Sequence, residues 1–186
     1  RPTDQLRCGA ARYDPGGGGI NVAHVAEVLG TPATAVFPAG GPAGELVHNL
    51  LVAEGLAIQR IRIGGSTRES FTVNELSTTR QYRFVLPGPQ LTIAEQTECL
   101  LHLRRAAAHA GIVVASGSLP PGVPEDFYQQ VAGICSELGT TFLLDTSGGG
   151  LTHVKSGVFL VKPSIRELRE DVGADTRHAL GRIEAE

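Results

Sequence analysis

Four adjacent glycines run directly into a predicted helix and form the first segment that could bind a polar ligand. The stretch reads GGGGIN at residues 16–21, and apolar residues at helical spacing follow it. Bare backbone lets a ligand approach closely, and a helix N-terminus offers free N–H groups with a partial positive charge. The alternative is a plain turn in which Asn21 is the helix N-cap. Because four glycines are costly in a mere turn, the pattern favours a ligand site, although it matches neither GxxxxGK[ST] nor GxGxxG.

A second candidate loop, SGSLPPG at residues 116–122, follows the apolar run IVVA. Two hydroxyl groups flank a glycine there, at the carboxyl end of a predicted strand, where open α/β sheets bind ligands. The prolines stiffen the exit of the loop. A plain turn shaped by serine explains this loop as well as a ligand site does.

Charged side chains follow two further predicted strands. Lys162, in LVKPSIRE, stands at a strand end from which its ammonium group could reach a phosphate. Ser164 and Glu167 form an S-x-x-E pattern, which predicts a helix capping box whether or not either residue binds a ligand. Asp145, in LLDTSG, is interpreted as a solvated carboxylate in a turn. Polar groups at several strand ends together favour a ligand site more strongly than any one loop does.

Predicted strands and helices alternate along most of the chain. The strands are continuous apolar runs, which is typical of parallel βαβ units covered on both faces. Right-handed crossovers then predict an open, doubly wound α/β sheet. Thr92 and Glu95 form a capping box at the start of one helix. The predicted helices cover residues 21–29, 44–54, 92–110, 124–139 and 164–170, and the predicted strands cover 33–37, 111–116, 140–148 and 158–164.

Between Ile61 and Leu86 the residues alternate with period two instead of following a helical period. The segments IRI, RESFTVNEL and RQYRFVL are predicted to be strands of an antiparallel ribbon, with a turn at STT, residues 77–79. Tyr82 and Phe84 would then share one face of the ribbon, and Arg83 would point to the other. We expect this block to be a small β element separate from the main sheet, joined to it by glycine- and proline-rich segments.

Composition excludes several classes of protein. The chain has 186 residues, 41% hydrophobic content and a formal charge of −3, and it contains no basic patch that would indicate nucleic-acid binding. No apolar segment approaches the roughly 18 residues of a membrane helix. Three distant cysteines indicate neither a disulfide framework nor a zinc site, so a cytoplasmic location is expected. The chain begins at Arg1 and ends within a polar helical pattern, from which we expect a piece of a longer protein.

Six motifs make the chain resemble the PfkB (ribokinase-like) family of carbohydrate kinases over nearly its whole length. In order they are LRCGAARYDPGGGGINVAHVAEVLG, FPAGGPAGE, QYRFVLPGP, ASGSLPPGVP, LLDTSGGGL and LVKPSIREL. The resemblance implies an α/β fold, with a doubly wound, mostly parallel sheet flanked by helices and a small β-sheet lid. Residues 1–186 would form a partial kinase domain, with lid strands at about 5–14 and 60–88. Lids of two subunits commonly pair in this family, which implies a homodimer.

The resemblance also implies a sugar-phosphate site, made of Gly17, Gly18, Asn21, Arg83, Ser116 and Arg7. The two glycines and Asn21 would line the sugar, with Asn21 also capping the helix. Arg83 and Ser116 would hold the phosphate of the substrate. Arg7 would add a phosphate contact that reaches into the site of the partner subunit.

On the nucleotide side, the resemblance implies that Lys162 faces the phosphates of ATP and that Glu167 acts on Mg²⁺ through water. Ser164 stands where the family has asparagine, which weakens the assignment on the magnesium side. Gln5 stands where the subgroup of the family that acts on fructose 6-phosphate has a phosphate-binding lysine. GADT, at residues 173–176, is not the catalytic G-A-G-D motif of the family, because it lacks the second glycine.

The activity implied is transfer of the γ-phosphoryl group of Mg·ATP to a hydroxyl of a ketohexose phosphate. The all-glycine run favours fructose 6-phosphate as the substrate, and the product would be fructose 1,6-bisphosphate. Tagatose 6-phosphate and fructose 1-phosphate are alternatives, as is a non-catalytic module that binds a sugar phosphate and dimerises. A nucleoside or ribose kinase is disfavoured, since an unphosphorylated sugar needs neither Arg83 nor Arg7. Because G-A-G-D, which carries the catalytic base and the anion hole, is absent, no catalytic residue is assigned. We expect no appreciable kinase activity from these 186 residues alone.

Overall fold

The structure of the chain is a computed structural model that describes residues 8–170. Strands and helices alternate, as predicted, and a short helix that the sequence did not indicate follows β6. The elements are α1 (Gly18–Val28), β1 (Thr34–Ala39), α2 (Gly41–Ala53), β2 (Ala57–Arg62), β3 (Ser70–Glu75), β4 (Arg80–Val85), α3 (Ile93–Ala107), β5 (Ile112–Ser116), α4 (Phe127–Leu138), β6 (Thr141–Asp145), α5 (Gly149–Thr152), β7 (Leu160–Val161) and α6 (Ile165–Glu170).

Parallel pairing dominates the main body, which confirms the predicted α/β class. β1 pairs with β2, and β5, β6 and β7 pair in that order, all in parallel. No ladder of hydrogen bonds joins these two groups within residues 8–170. Helix α1 packs against both β1 and β5 and so connects the two groups. The carboxyl ends of β5, β6 and β7 therefore lie side by side at one edge.

Two apolar clusters form the core, one under each group of parallel strands. The cluster under β1 contains Ile20 from α1 and Leu51 from α2. The cluster under β6 is larger, because α4 presents a buried stripe at helical spacing. Its buried members are Tyr128, Val131, Ala132, Cys135, Phe142 and Leu144. Burial raises the pKa of the Cys135 thiol, so this cysteine is a neutral core residue.

The antiparallel ribbon is confirmed, and its extent is smaller than predicted. β3 and β4 pair with Phe71 opposite Phe84, and the turn between the strands covers residues 76–79. Tyr82 lies on the same face as Phe84, and Arg83 lies opposite Thr72 on the other face. We use "the ribbon" below for residues 70–85.

The predicted assignment of the segment IRI to the ribbon is wrong. Ile61 belongs to β2, which pairs with β1 in the main body, and its side chain is only 4% exposed. The alternation of IRI reflects a strand with one buried face, which a core strand can show as readily as a ribbon strand. Residues 8–17 form no strand, so the lid strand expected at about 5–14 is not formed over the part that the structure describes. None of the helices within residues 8–170 combines the length and apolarity needed to cross a membrane.

Candidate functional site

Three strand-end residues form one hydrogen-bonded row at the edge of β5–β7. Ser116 ends β5 in register with Asp145, which ends β6, and Lys162 directly follows β7. The Ser116 hydroxyl donates to Asp145 Oδ2 over 3.3 Å, and Lys162 Nζ lies 3.3 Å from Asp145 Oδ1. The interpretation of Asp145 as a turn carboxylate is wrong, because it ends β6 and both of its oxygens have protein partners, although its side chain remains 37% exposed. Its carboxylate holds a hydroxyl and an ammonium group side by side. The ammonium group keeps further N–H donors for an anion, and the hydroxyl can donate to an anion when it turns away from Asp145.

The N-terminus of α1 faces this row. Gly17 is the N-cap residue, with a φ of 130° that favours glycine, and no side chain caps the helix. The N–H of Asn21 donates to the Gly17 carbonyl and closes the first helical turn. The prediction that Asn21 is the N-cap is wrong, because the helix begins at Gly18, inside the glycine run. The first N–H groups of the helix, which have no intrahelical partner, are thus directed at the site.

Gly18 approaches Ser116 so closely that a side chain at this position is excluded. A Cβ atom built on Gly18 would overlap the Ser116 hydroxyl and lie 2.9 Å from the Ser116 Cβ. The same construction at Gly16 or Gly19 meets no atom within 4 Å. Of the four glycines, Gly17 is required for its backbone conformation and Gly18 for space. The structure thereby brings together three of the predicted site residues, Gly17, Gly18 and Ser116.

The backbone after Ser116 is fixed by a set of bonds that the sequence did not predict. Gly117 has a φ of 129°, and its N–H donates to the Asp145 carbonyl. Its own carbonyl accepts two hydrogen bonds, from the Tyr128 hydroxyl at 2.7 Å and from Thr146 Oγ1 at 2.8 Å. Both donors are buried, and burial raises the pKa of the Tyr128 phenol. The only signal in the sequence was a tyrosine within an apolar helical stripe, since a buried phenol needs a partner.

Lys162 is 71% exposed, so its ammonium group can reach a ligand as well as Asp145. Ser164 and Glu167 form the predicted capping box, with the Ser164 N–H 2.6 Å from Glu167 Oε2 and the Glu167 N–H 3.2 Å from Ser164 Oγ. These bonds lower the pKa of the Glu167 carboxyl, which is ionised at neutral pH. Within residues 8–170, no group of three His, Cys, Asp or Glu side chains is placed to hold a metal ion directly.

Three predicted site residues lie apart from this row or beyond the described part of the chain. Asn21 is exposed in the first turn of α1. Arg83 is exposed in β4, and the ribbon packs extensively against none of the other elements described. Arg7 lies outside the described residues, as do Gln5 and the GADT segment.

Comparisons with known proteins identify the family to which the chain is similar. The sequence model of the pfkB family carbohydrate kinase matches residues 1–184. An ATP-dependent 6-phosphofructokinase isozyme 2 of Mycobacterium tuberculosis is 63% identical over 175 residues, which cover 94% of this chain and 52% of that protein. The chain thus spans about half the length of this curated relative.

Solved structures of the phosphofructokinase-2 of Escherichia coli are similar in fold. The complex with fructose-6-phosphate has a TM-score of 0.86 and 34% identity, covering 99% of this chain and 62% of that one. The tetrameric inhibited form has a TM-score of 0.85 at the same identity and coverage.

Proposed function

Since the chain belongs to the pfkB family of carbohydrate kinases, we propose that it provides the sugar-phosphate side of an ATP-dependent 6-phosphofructokinase. The reaction is transfer of the γ-phosphoryl group of ATP to O1 of fructose 6-phosphate. The 63% identity to the mycobacterial 6-phosphofructokinase supports this choice over tagatose 6-phosphate and fructose 1-phosphate.

One observation carries the proposal, namely the close approach of the α1 N-terminus to Ser116. Backbone N–H groups from a glycine helix start and a hydroxyl group from a strand end face the same space. Such donors suit the hydroxyls and phosphate of a sugar phosphate. Gly17, Gly18 and Asn21 would contact the sugar, and the Ser116 hydroxyl would donate to its phosphate in place of Asp145. Arg83 would add a charge from the ribbon, and Arg7 a second one from the N-terminal segment.

Lys162 would bind the phosphates of ATP, with its position set by Asp145. The chemistry that Mg²⁺ supplies in such reactions is neutralisation of charge on the transferred phosphates. Glu167 fits contact with the ion through water, because its ionised carboxylate keeps lone pairs beyond those used in the capping box. Ser164 would act as the partner of Glu167 in that box.

The residues described bind and orient the reactants, which is a large part of phosphoryl-transfer catalysis. The 186-residue sequence contains no G-A-G-D motif, and we therefore expect it to turn over substrate negligibly by itself. A coupled assay for fructose 1,6-bisphosphate tests this expectation, which robust turnover by the purified chain would contradict.

We also propose a homodimer that pairs through the ribbon. Support comes from apolar side chains that the ribbon leaves exposed, Phe71, Tyr82, Phe84 and Val85. A cytoplasmic location is proposed from the thiols: Cys8, Cys99 and Cys135 are all free.

Calorimetry with the purified chain tests the binding proposal. We expect fructose 6-phosphate to bind without ATP, and free fructose to bind at least about tenfold more weakly, since it lacks the charged group. Ser116→Ala should lose sugar-phosphate affinity, whereas Ser118→Ala, in the same loop and exposed, should not. Equal affinity for fructose and fructose 6-phosphate would overturn the proposal.

A second candidate is a module that binds a sugar phosphate without catalysis. The observation in its favour is that three of the residues proposed to bind the sugar phosphate lie together in a chain without G-A-G-D. Affinity for ATP distinguishes the kinase from the non-catalytic module. Under the kinase proposal, Lys162→Gln weakens ATP binding, whereas Lys155→Gln, an exposed lysine elsewhere, leaves it unchanged. A wild-type chain that binds the sugar phosphate and shows no affinity for ATP favours the module.

A further inference from the structure

The ribbon is connected to the main body by two segments, and one carboxylate contacts both of their ends. The outgoing joint, residues 63–69, leads from β2 to β3, and the return joint, residues 86–92, leads from β4 to the start of α3 at Ile93. Glu95 Oε1 accepts the Gly64 N–H at 2.7 Å. Glu95 Oε2 accepts the Thr92 N–H at 2.7 Å and the Thr92 hydroxyl at 2.9 Å.

Other contacts hold the same joints. The Gly40 N–H donates to Thr67 Oγ1 at 3.0 Å, and the Thr67 N–H donates to the Gly40 carbonyl at 2.9 Å. The two joints also touch each other, because a Cβ atom on Gly65 would lie 2.5 Å from the Pro89 Cβ. Residues 64–67 are thus bonded to the main body, whereas the ribbon beyond them is held mainly by its own ladder.

We propose that Glu95 is a positioning residue, which ties the two joints together and so sets the orientation in which the ribbon presents Arg83 to the substrate. The part played by Arg83 rests on the function proposed above. A capping box needs only the bonds between Glu95 and Thr92. The bond from Gly64 contributes nothing to capping, and it joins a residue 31 positions away in sequence to the same side chain.

The ionised state of Glu95 suits this role. A carboxylate has two oxygens that only accept hydrogen bonds, so one oxygen can serve each joint. Glutamine of the same shape has a single acceptor oxygen and cannot replace both contacts. The bonds from Thr92 and Gly64 lower the pKa of Glu95, which keeps it ionised at neutral pH.

Hydrogen exchange at Gly64 tests the tie directly, with two control variants. Glu95→Gln should speed exchange of the Gly64 amide on the order of fivefold, the effect of losing one ordinary hydrogen bond. Thr92→Ala removes the capping hydroxyl and keeps the bond from Gly64, so it should weaken the helix start without changing exchange at Gly64. Glu98→Gln, one turn along the same helix and away from the joints, should leave exchange unchanged. A Gly64 amide that exchanges equally in wild type and Glu95→Gln would overturn the proposal.

Calorimetry with fructose 6-phosphate tests the consequence for the ligand. Glu95→Gln should weaken binding several-fold, and Thr92→Ala and Glu98→Gln should bind as the wild type does. An equal loss in Glu95→Gln and Thr92→Ala would show that helix capping alone explains the effect, and would overturn the positioning role. If the wild type does not bind fructose 6-phosphate, the proposed function fails, and exchange at Gly64 still decides whether Glu95 ties the joints.

Discussion

The strand-end site and the ribbon are held in opposite ways. At the strand ends, Gly117 alone takes part in three hydrogen bonds, and two of the donors are buried side chains. In the ribbon, every residue of β4 is exposed. Its stability comes from one ladder and from the stacking of Phe71 on Phe84, whose ring centroids are 4.8 Å apart.

The difference indicates that the two regions of the candidate site differ in how rigidly they are held. Buried, fully bonded groups keep Ser116 and its neighbours in place before a ligand arrives, which reduces the entropic cost of binding. A two-stranded ribbon is marginally stable by itself, so its orientation depends on its joints and on what it packs against. Under the proposed function, Arg83 would therefore be the adjustable half of these two phosphate contacts, and Ser116 would be the fixed half.

Breaking the fixed half should have the largest effect. Gly18→Ala places a methyl group against Ser116, and overpacking of this kind costs about 1–3 kcal/mol. We expect urea denaturation to show that loss, and calorimetry to show at least about tenfold weaker binding of fructose 6-phosphate. Gly19→Ala is the matched control, because its methyl group meets open space inside the same helix. The free energy of unfolding of Gly19→Ala should be unchanged or rise by up to about 1 kcal/mol. An equal loss of stability in both variants would contradict the role of Gly18.

Removing one of the bonds to Gly117 should have an intermediate effect. Tyr128→Phe deletes the hydroxyl and leaves Thr146 as the remaining side-chain donor. The free energy of unfolding should fall by about 1 kcal/mol, with a modest loss of sugar-phosphate affinity. Tyr13→Phe, at a tyrosine that is 63% exposed, should change neither. Equal stability of Tyr128→Phe and the wild type would show that the fixed half does not depend on this bond.

Changing the ribbon should affect stability less than assembly. Phe84→Ala removes the stacked pair and a large exposed apolar surface, and cross-strand pairs of this kind contribute about 0.2–1 kcal/mol. Sedimentation should show a shift from dimer to monomer, with a small change in melting temperature. Leu76→Ala, in the turn and 92% exposed, is the control. A monomeric wild type, or a dimer that survives Phe84→Ala, would contradict pairing through the ribbon.

The smallest effect is expected from titration of Glu95. Its pKa is lower in the folded chain than the ordinary value of 4.5, so its contribution to stability is complete above about pH 4.5. That contribution is lost as the pH falls through the lowered pKa, because a neutral carboxyl group is a weaker acceptor for the Gly64 N–H than a carboxylate. The NMR shift of the Gly64 amide should follow this transition, and Glu95→Gln should abolish it. A Gly64 shift that is flat down to the acid limit of folding would contradict the bond.

Local patterns predicted much of the fold. The capping boxes at Thr92 and Ser164 were predicted because each depends on two residues three positions apart. The ribbon was predicted from its alternating residues. The assignment of the segment at Ile61 to the ribbon was wrong, because the alternation there comes from a strand of the main body with one buried face. The start of α1 was placed at Asn21 because glycine has low helix propensity. Burial of Ile20 in the core overrides that propensity.

The candidate site was less accessible to sequence reasoning because its contacts join distant parts of the chain. Nothing near Gly18 indicates that Ser116 will lie against it. Asp145 was assigned to solvent because its partners, Ser116 and Lys162, come from neighbouring strands. Only the parallel register brings the three residues together.

The pairing of the strands also bears on how the chain folds. Each ladder joins strands that follow one another in sequence, with a single turn or one crossover between them. Pairings of this kind close short loops and lose little chain entropy, which favours early formation. The β1–β2 pair, the ribbon and the β5–β7 group should therefore gain protection from hydrogen exchange as three separate cooperative units. Helix α1 packs against β1 and β5 and so joins two of these units, and the contact of its Gly18 with Ser116 should therefore form last.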